Sequence, residues 1–383
     1  MRPVDAIDRL GRPPAVTALA GEDAVYVVGG AVRDALLGRT PHELDFVVEG
    51  DAVAVARRAA ERLGGRIVVH DRFGTATVEA PGATFDLAGA RRERYERPGA
   101  LPDVELGATL REDLERRDFT VNAIALHLAD GALVEFPGAG EDLDARVLRV
   151  LHDRSFLDDP TRLLRLARYA ARLGFEPDPE TDRLAAEAIA GGALDTVTGS
   201  RLGAELRLLL REPQPAALLA LERHGLGERL LAGFHVVPEI VDRALALAPP
   251  DARADLAAFA TTFSDAARLD DLAFPAADRD IVAAPIPELR DDMTDVELWR
   301  ALRKRHPETV AVAGARDGYE AARRWLEDVR HQRLAIDGND IVAAGLEGPA
   351  VIEEVGATIL VYPGDRMQVN EFGHLVIEVT AGV

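Results

Sequence analysis

The chain has no cysteine among its 383 residues, which excludes disulfide bonds and thiolate metal sites. This absence is typical of proteins in a reducing compartment, and we expect a cytoplasmic protein. No stretch approaches the roughly 20 consecutive apolar residues that span a bilayer. Residues 1–16 contain no apolar segment of the kind found in secretory signals. The sequence therefore predicts no membrane partner.

Positive charge is scarce as well. The formal net charge is −21, and Lys304 is the only lysine, so nearly all basic side chains are arginines. The acidic excess is densest after residue 225. This balance argues against indiscriminate binding of nucleic acid over the whole surface. Local arginine clusters remain compatible with it, because arginine binds phosphate through two parallel hydrogen bonds. A GC-rich gene would explain the arginine bias equally well.

Hydrophobic patterning divides the chain into an α/β part and a helical part. Short strands alternate with helices over residues 1–138, and we expect Asp51 to cap the helix that Gly64 ends. The Pro/Gly-rich segment 97–107 predicts a loop. From about residue 142 the apolar spacing is helical, and after about residue 348 it indicates β-hairpins.

The first candidate site combines a glycine pair with two carboxylates. Gly29 and Gly30 follow an apolar strand, and such a turn lets the backbone approach an anionic ligand closely, although many glycine pairs are only tight turns. Glu43 and Asp45 are two residues apart in an extended segment, so they share a face and could hold Mg²⁺. On their own they would equally describe a solvated charge pair. No G-x-G-x-x-G follows the strand, which excludes a dinucleotide-binding oxidoreductase.

Asp86 is a third candidate acid. It lies in a predicted strand between Phe85 and Leu87, and strand interiors disfavour aspartate. It either completes a carboxylate triad with Glu43 and Asp45 or faces water on an edge strand.

Several long motifs occur in one order along the first 225 residues or so. They are GGAVRDALLGR (29–39), FGTATV (73–78), FDLAGARRE (85–93), RRDFTVNAIAL (116–126), LRVLHDRSFLDDPTRLLRLARYAARLGF (148–175) and SRLGAEL (200–206). Together they resemble the bacterial CCA-adding and poly(A) polymerase family, the class II nucleotidyltransferases. FGTATV lacks the basic run typical of the poly(A) branch, which favours the CCA-adding branch.

The resemblance implies a fold and a set of roles. The fold would be α+β, with a polymerase-beta-like α/β head at 1–138, a helical neck at 139–225, a helical body binding tRNA at 226–347 and a tail of unknown role at 348–383. Catalysis would use Glu43, Asp45 and Asp86, with Mg²⁺ held by Glu43 and Asp45. The residues implied to bind nucleotide are Gly29, Gly30, Arg33, Arg117, Asp118, Asn122, Asp159, Arg162, Arg165 and Arg168.

Glu43 departs from the family pattern, which usually has aspartate at the first metal position. Glutamate is still a hard oxygen ligand, but it is longer and more flexible. We interpret it as a tolerated variant; a slower or inactive enzyme is the alternative.

The segment 159–168 has a physical interpretation of its own. Asp159, Arg162 and Arg165 follow i, i+3 spacing and should lie near one helix face, either as a solvated surface or as a ligand site. Cytosine and adenine both present an amino donor beside a ring-nitrogen acceptor. Asp159 can accept from the amino group while Arg162 donates to the ring nitrogen, whereas uracil and guanine present the opposite pattern. The pair could therefore select C and A without a template.

The expected reaction is attack of a tRNA 3′-hydroxyl on the α-phosphate of CTP or ATP with release of pyrophosphate. Rival functions are a CC-only adder, an A-only adder, a poly(A) polymerase and an RNA-binding protein that has lost catalysis. The sequence does not fix the oligomeric state.

Overall fold

The structure is a computed structural model that describes residues 10, 13–41, 43–70 and 74–332, together with short strands between 346 and 378. The chain divides into two compact units, Met1–Leu326 and Glu327–Val383. No helix of the described residues is long and apolar enough to cross a membrane.

A seven-stranded sheet forms the N-terminal part. Its strands are β1 (Val25–Val28), β2 (Asp45–Val48), β3 (Arg66–His70), β4 (Thr75–Ala80), β5 (Ala83–Gly89), β8 (Ile124–His127) and β9 (Leu133–Glu135). They lie in the order β3-β4-β5-β2-β1-β8-β9. Only the β2/β5 pair is parallel among these neighbours. The parallel pair brings the start of β2 next to the middle of β5, where two of the candidate acids lie.

The helix Ala52–Leu63 shows how local sequence sets these elements. The Asp51 side chain accepts a hydrogen bond from the Ala54 amide, and Gly64 ends the helix at φ +65°. Both predictions for this helix are confirmed. Its small buried face packs against β4 and β5.

The segment predicted as a loop at 97–107 is partly a strand, and that prediction is wrong in its second half. Residues Asp103–Leu106 form β7, which pairs antiparallel with β6, Arg91–Arg94. Arg92 lies directly opposite Glu105, and their side chains are 3.2 Å apart. Opposite charges across a strand pair stabilise it, and the proline and glycine content concealed this pairing.

The remainder of the first unit is helical, as the spacing predicted. The other helices of the described residues are Pro14–Leu19, Gly30–Leu36, Leu110–Glu115, Ala139–Ala145, Ser155–Asp158, Thr161–Leu173, Pro179–Ala190, Gly199–Leu210, Ala216–Arg223, Leu226–Leu230, Pro238–Leu247, Ala254–Ala260, Ala266–Asp271, Ala276–Val282, Asp295–Leu302, Pro307–Arg316 and Tyr319–Glu327. Short 3₁₀ turns occupy Thr120–Asn122 and Ala193–Thr196, and a two-residue parallel pair joins Val147–Leu148 to Glu176–Pro177. A third 3₁₀ turn, Val329–His331, belongs to the second unit.

The central helix Thr161–Leu173 joins the sheet to the helical part. Leu163, Leu164 and Leu166 are buried, while Arg165 is only partly covered. One continuous hydrophobic core runs from the sheet through this helix into the helices beyond it. The apolar face of the helix is therefore buried in the core. Its polar face lies towards the end of the sheet that carries the candidate site.

The second unit contains only short strands among its described residues beyond 332. Ala350–Glu354 pairs antiparallel with Ala357–Val361, and Arg366–Val369 pairs with Leu375–Glu378 and Leu346–Glu347. These antiparallel pairs agree with the β-hairpins predicted for the tail.

Candidate active site

A cavity of about 280 Å³ brings together segments that are distant in sequence. Most of its walls are polar. The residues that line it are Gly29, Gly30, Asp45, Glu93, Tyr95, Arg116, Arg117, Asp118, Asn122, Asp159, Thr161, Arg162, Arg165, Tyr169 and Glu205. Eight of these residues are predicted nucleotide-binding residues, and Asp45 is a predicted catalytic acid.

The glycine turn allows an arginine to approach the backbone. Gly29 has φ +70°, and its amide donates to the Ile124 carbonyl at 3.0 Å. A Cβ atom at this position would lie 2.8 Å from Nη1 of Arg117. The positive φ favours glycine here, and a side chain would also force the guanidinium group of Arg117 to move.

The three candidate acids lie near one another where the start of β2 meets β5. Phe46 is paired with Leu87, so the preceding residues Asp45 and Asp86 are neighbours across the parallel pair. Partial burial raises the pKa of Asp45, and the charges of Glu43 and Asp86 raise it further against the opposing charge of Arg117. Asp86 accepts a hydrogen bond from Thr77 at 2.5 Å. An adjacent cavity of about 670 Å³ is lined by all three acids.

These acids do not form a compact three-ligand group. Among the described residues, no set of three or more His, Cys, Asp or Glu side chains is arranged to hold a metal ion. Mg²⁺ in nucleotide sites is commonly bound by one or two carboxylates together with substrate phosphates. Burial is the main reason that the pKa of Asp45 is raised, and the charges of Glu43 and Asp86 add to it, so a divalent cation would be electrostatically favourable beside these carboxylates.

Two adjacent arginines are held by one buried aspartate. Asp113, fully buried in the helix Leu110–Glu115, accepts from Nε of Arg116 at 2.9 Å and from Nη2 of Arg117 at 3.2 Å. Burial lowers the pKa of Arg117 below its ordinary value, against the charge of Asp113. The Nε of Arg117 is buried without a partner in the described structure. Arg117 also lines the cavity, so its guanidinium group could contact an anionic ligand there.

A buried network connects the glycine turn to the central helix. Arg33 donates to Asn122 Oδ1 at 2.6 Å, and Asn122 donates to Asp118 Oδ1 at 3.0 Å. Arg165 donates to the other oxygen of Asp118 from Nε at 2.8 Å and from Nη2 at 2.6 Å. Burial alone would raise the pKa of Asp118, but Arg165 and Asn122 hold it below its usual range. The carboxylate is charged at neutral pH.

Arg33 and Arg168 lie behind the cavity and do not line it. Arg33 is 1% exposed and Arg168 is 9% exposed. Their guanidinium carbons lie 5.4 and 4.8 Å from the centre of the Tyr169 ring. The sequence did not distinguish these supporting arginines from Arg117, Arg162 and Arg165, which line the cavity.

Asp159 and Arg162 are both held in place before any ligand is present. Arg162 donates to Ser155 Oγ and to the Arg116 carbonyl, each at 2.7 Å. Oδ1 of Asp159 accepts from the hydroxyl of Thr161 at 2.7 Å. The expectation that Asp159 lies on the same helix as Arg162 is wrong. Asp159 is extended, at φ −131° and ψ 91°, because Pro160 follows it and begins the turn into the next helix.

The sequence did not single out six further residues of the cavity wall: Glu93, Tyr95, Arg116, Thr161, Tyr169 and Glu205. Partial burial raises the pKa of Tyr95 to about 12, so its hydroxyl stays protonated. Glu93 and Tyr95 are two residues apart along the end of β6. Their spacing was a usable signal, because alternate residues of a strand share a face.

Comparisons with known proteins show which family the chain resembles. Residues 25–149 match the family model described as the poly A polymerase head domain. The A-adding tRNA nucleotidyltransferase of Geobacter sulfurreducens is 45% identical over 221 residues, which are 57% of this chain and 24% of that protein. The chain thus spans only about a quarter of that relative. The CC-adding tRNA nucleotidyltransferase of Deinococcus radiodurans is 44% identical over 254 residues, 61% of this chain and 67% of that protein.

Two longer matches extend the likeness over most of the chain. The multifunctional CCA protein of Xanthomonas campestris pv. campestris is 32% identical over 407 aligned positions, which cover 87% of this chain and 96% of that protein. The solved structure of the Thermotoga maritima CCA-adding enzyme complexed with tRNA is 26% identical, with a TM-score of 0.72 and coverage of 91% of both chains. Sequence and fold therefore agree well beyond the head domain.

Proposed function

The chain belongs to the bacterial CCA-adding and poly(A) polymerase family of tRNA nucleotidyltransferases, and we propose that it adds C and A to the 3′ end of tRNA from CTP and ATP. One observation carries the proposal. A single cavity contains an acid from β2, the Arg117–Asp118 pair and the Asp159–Arg162 pair. These groups would serve chemistry, nucleotide binding and base selection, respectively.

Base selection would depend on Asp159 and Arg162. The three hydrogen bonds to Asp159 from Thr161 and Arg201 all reach Oδ1, which leaves Oδ2 to accept from an exocyclic amino group. Arg162 has further donors beyond those bonded to Ser155 and to the Arg116 carbonyl. A rigid acceptor beside a rigid donor favours cytosine and adenine, because uracil and guanine would leave both groups unpaired in a desolvated site.

The triphosphate would be bound by arginine. Arg117 is held by Asp113 and lines the cavity. Its neighbour Gly29 leaves room for a ligand at the turn. Arg165 already forms ion pairs with Asp118 and Glu205. We therefore propose that it holds these site residues in place and does not bind the triphosphate.

Glu43 and Asp45 would hold Mg²⁺, with Asp86 as the third acid of the site. The donor set fits a hard divalent cation, since it consists of carboxylate oxygens. Burial, together with the charges of Glu43 and Asp86, raises the pKa of Asp45, and a cation there would offset both effects. Bound there, the ion would act as a Lewis acid at the α-phosphate and favour the deprotonated 3′-hydroxyl. Arg117 and Asp118 would meanwhile fix the nucleotide in orientation.

The proposed division of labour follows the predicted ranges. Residues 1–138 would carry the chemistry, 139–225 would select the base, and 226–347 would bind tRNA, while the role of 348–383 is left open. We place the protein in the cytoplasm, where tRNA is processed.

Three RNA substrates test the proposal: tRNAs that end before the first C, after CC and after CCA, each incubated with one NTP at a time. Addition of C, C and then A supports a complete CCA adder. Addition of C alone would identify a CC-adding enzyme, and addition of A alone after CC would identify an A-adding enzyme. Long A tails would indicate poly(A) polymerase activity. Asp45→Ala serves as the inactive control, and Glu61→Ala, on an exposed helix face of the same domain, is the matched variant that should remain active. No addition to any tRNA would overturn the proposal.

A further inference from the structure

The third acid of the proposed site is held by one hydrogen bond from the neighbouring strand. Thr77 of β4 lies directly opposite Asp86 of β5, and its hydroxyl donates to Oδ1 of that carboxylate at 2.5 Å. No other hydrogen bond reaches the Asp86 side chain within the part of the chain that the structure describes. Asp86 is otherwise exposed to water, so Thr77 is the residue that limits its rotation.

The bond from Thr77 directs one oxygen of Asp86 away from Asp45. In the sheet β5 lies between β4 and β2, and Asp45 is the neighbour of Asp86 on the β2 side. Oδ1 therefore bonds towards β4, which leaves Oδ2 without a hydrogen bond among the described residues. Thr77 thus engages one oxygen of the carboxylate and leaves the other for the site.

Repulsion among the acids makes this support necessary. The charges of Glu43 and Asp86 both raise the pKa of Asp45 beyond the effect of burial. An exposed carboxylate beside two like charges is stabilised when it turns away from them into water. The hydrogen bond from Thr77 opposes that rotation, because its donor belongs to a strand that is paired with β5 from Thr75 to Ala80.

The backbone beneath this contact is fixed by the core on the opposite face of the sheet. Neighbouring residues of a strand point to opposite faces. The residues on either side of Thr77 and of Asp86 are all buried: Ala76, Val78, Phe85 and Leu87. Valine has nearly the shape of threonine and is equally favourable in strands. The hydroxyl can therefore be removed without disturbing this core.

His70 favours the same direction of the Thr77 hydroxyl. Its Nε2 lies 3.4 Å from Oγ1 of Thr77, on the side of β3. A hydroxyl has one proton to donate, whereas a carboxylate only accepts. With that proton directed to Asp86, Oγ1 can accept from Nε2–H of His70. The three side chains then form one chain of hydrogen bonds that ends at the acid.

We propose that Thr77 is a positioning residue, which holds Asp86 in the orientation that the transfer reaction requires. The inference rests on the proposed function of the three acids and extends it to a residue outside them. Thr77 lines neither cavity of the site, so it would not contact the nucleotide. Its loss should lower kcat and leave the KM for CTP and ATP unchanged.

Thr77→Val tests the hydroxyl. We expect kcat to fall about tenfold, which is the effect of losing one hydrogen bond to a charged group. Thr77→Ser, which keeps the donor, should recover most of kcat. Thr17→Val is the matched control, because its hydroxyl is exposed on the helix Pro14–Leu19 and bonds to the Pro13 carbonyl. This control should keep the wild-type kcat.

A double-mutant cycle with Asp86→Ala separates positioning from a purely structural role. If Thr77 acts through the Asp86 carboxylate, adding Thr77→Val to Asp86→Ala should cause no further loss of kcat. A structural role would lower kcat by the same factor in both backgrounds, and that result would overturn the inference. A wild-type kcat in Thr77→Val would overturn it as well.

Binding of Mn²⁺ provides a measurement that needs no transfer. The protein is titrated with Mn²⁺ alone, without RNA or nucleotide, and the Kd is read from the electron paramagnetic resonance signal of the free ion. Thr77→Val should raise this Kd about tenfold, as the loss of a hydrogen-bonding partner behind a metal site typically does. In the Asp86→Ala background it should change nothing. The titration therefore completes the cycle where Asp86→Ala leaves no measurable transfer.

The two measurements distinguish failure of this inference from failure of the proposed function. If the wild-type protein extends no tRNA but Thr77→Val weakens Mn²⁺ binding in a way that depends on Asp86, the positioning of Asp86 stands and the proposed reaction fails. An unchanged Mn²⁺ Kd in Thr77→Val would overturn the inference even if the wild-type protein extends tRNA normally. A wild-type protein that neither extends tRNA nor binds Mn²⁺ would overturn both.

Discussion

The buried pair of Asp118 and Arg165 allows a quantitative prediction. The Asp118 side chain is 5% exposed and receives two bonds from Arg165, at 2.6 and 2.8 Å. Asp118→Asn removes the negative charge and leaves Arg165 with Glu205, at 3.3 Å, as its remaining acid. Removing one partner of a buried pair typically costs 3–5 kcal/mol. Because 30% of the Arg165 side chain is exposed to water, we expect a smaller loss of about 2–3 kcal/mol in the free energy of unfolding.

The magnitude is measured by urea denaturation at pH 7 in a double-mutant cycle of Asp118→Asn and Arg165→Met. The cycle should give a coupling energy of about 1.5–2 kcal/mol, since both variants remove the same contact. Glu180→Gln is the control, because the Glu180–Arg183 pair is exposed on a helix surface and should change stability negligibly. A coupling energy near zero would refute the claim that this pair connects the buried network of Arg33 and Asn122 to the central helix.

The same pair predicts a dependence on pH. The folded-state pKa of Asp118 lies below its unfolded value of about 3.9, so its contribution is fully present above that value and is lost as the pH falls through the folded pKa. The difference in stability between wild type and Asp118→Asn should therefore be constant from pH 7 to about pH 5 and narrow below about pH 4. A difference that grows in acid would contradict the assignment of the charge.

The remaining predictions concern the reaction. Asp45→Ala should abolish incorporation of labelled ATP while leaving the thermal midpoint unchanged, and normal incorporation would refute its catalytic role. Because the pKa of Asp45 is raised, wild-type kcat/KM should fall in acid at a higher pH than an ordinary carboxyl would impose, and added Mg²⁺ should shift that fall to lower pH. Glu43→Asp should keep or raise kcat; a complete loss would mean that the site is built around glutamate. Arg162→Ala should lower kcat/KM for CTP and ATP roughly ten- to hundredfold and for UTP and GTP much less, whereas equal losses would leave it only a phosphate role.

The main features of the fold could be predicted because they depend on local patterns. Local sequence is enough to predict the helix Thr161–Leu173 from its apolar spacing. It is also enough to predict the ends of the helix capped by Asp51 and ended by Gly64. The strand Asp103–Leu106 could not be predicted in this way. Its pairing involves Arg92 and Glu105, two charged residues in separate segments. The proline and glycine residues between them are compatible both with the tight turn of a hairpin and with an irregular loop.

The candidate site was predictable as a set of residues but not as an arrangement. Arg33 and Arg117 both belong to motifs of the family, yet Arg33 is buried behind Asn122 while Arg117 lines the cavity. Motif spacing contains no information about which arginine supports another residue. Tyr95 and Thr77 escaped notice because each acts through a contact that only the folded chain forms.

The charges that line the cavity differ from the net charge of the chain. A chain with a net charge of −21 would be expected to repel a polyanion. In the cavity, however, Arg116, Arg117 and Arg165 are each fixed by an aspartate that is itself almost fully buried. Those acids hold the guanidinium groups in place without presenting their own charge to solvent. In the proposed function an incoming phosphate would therefore meet an oriented Arg117, while Arg165 supports the site. Since partly buried charges are screened less than exposed ones, binding of NTP should depend less on salt than binding of RNA to exposed basic side chains.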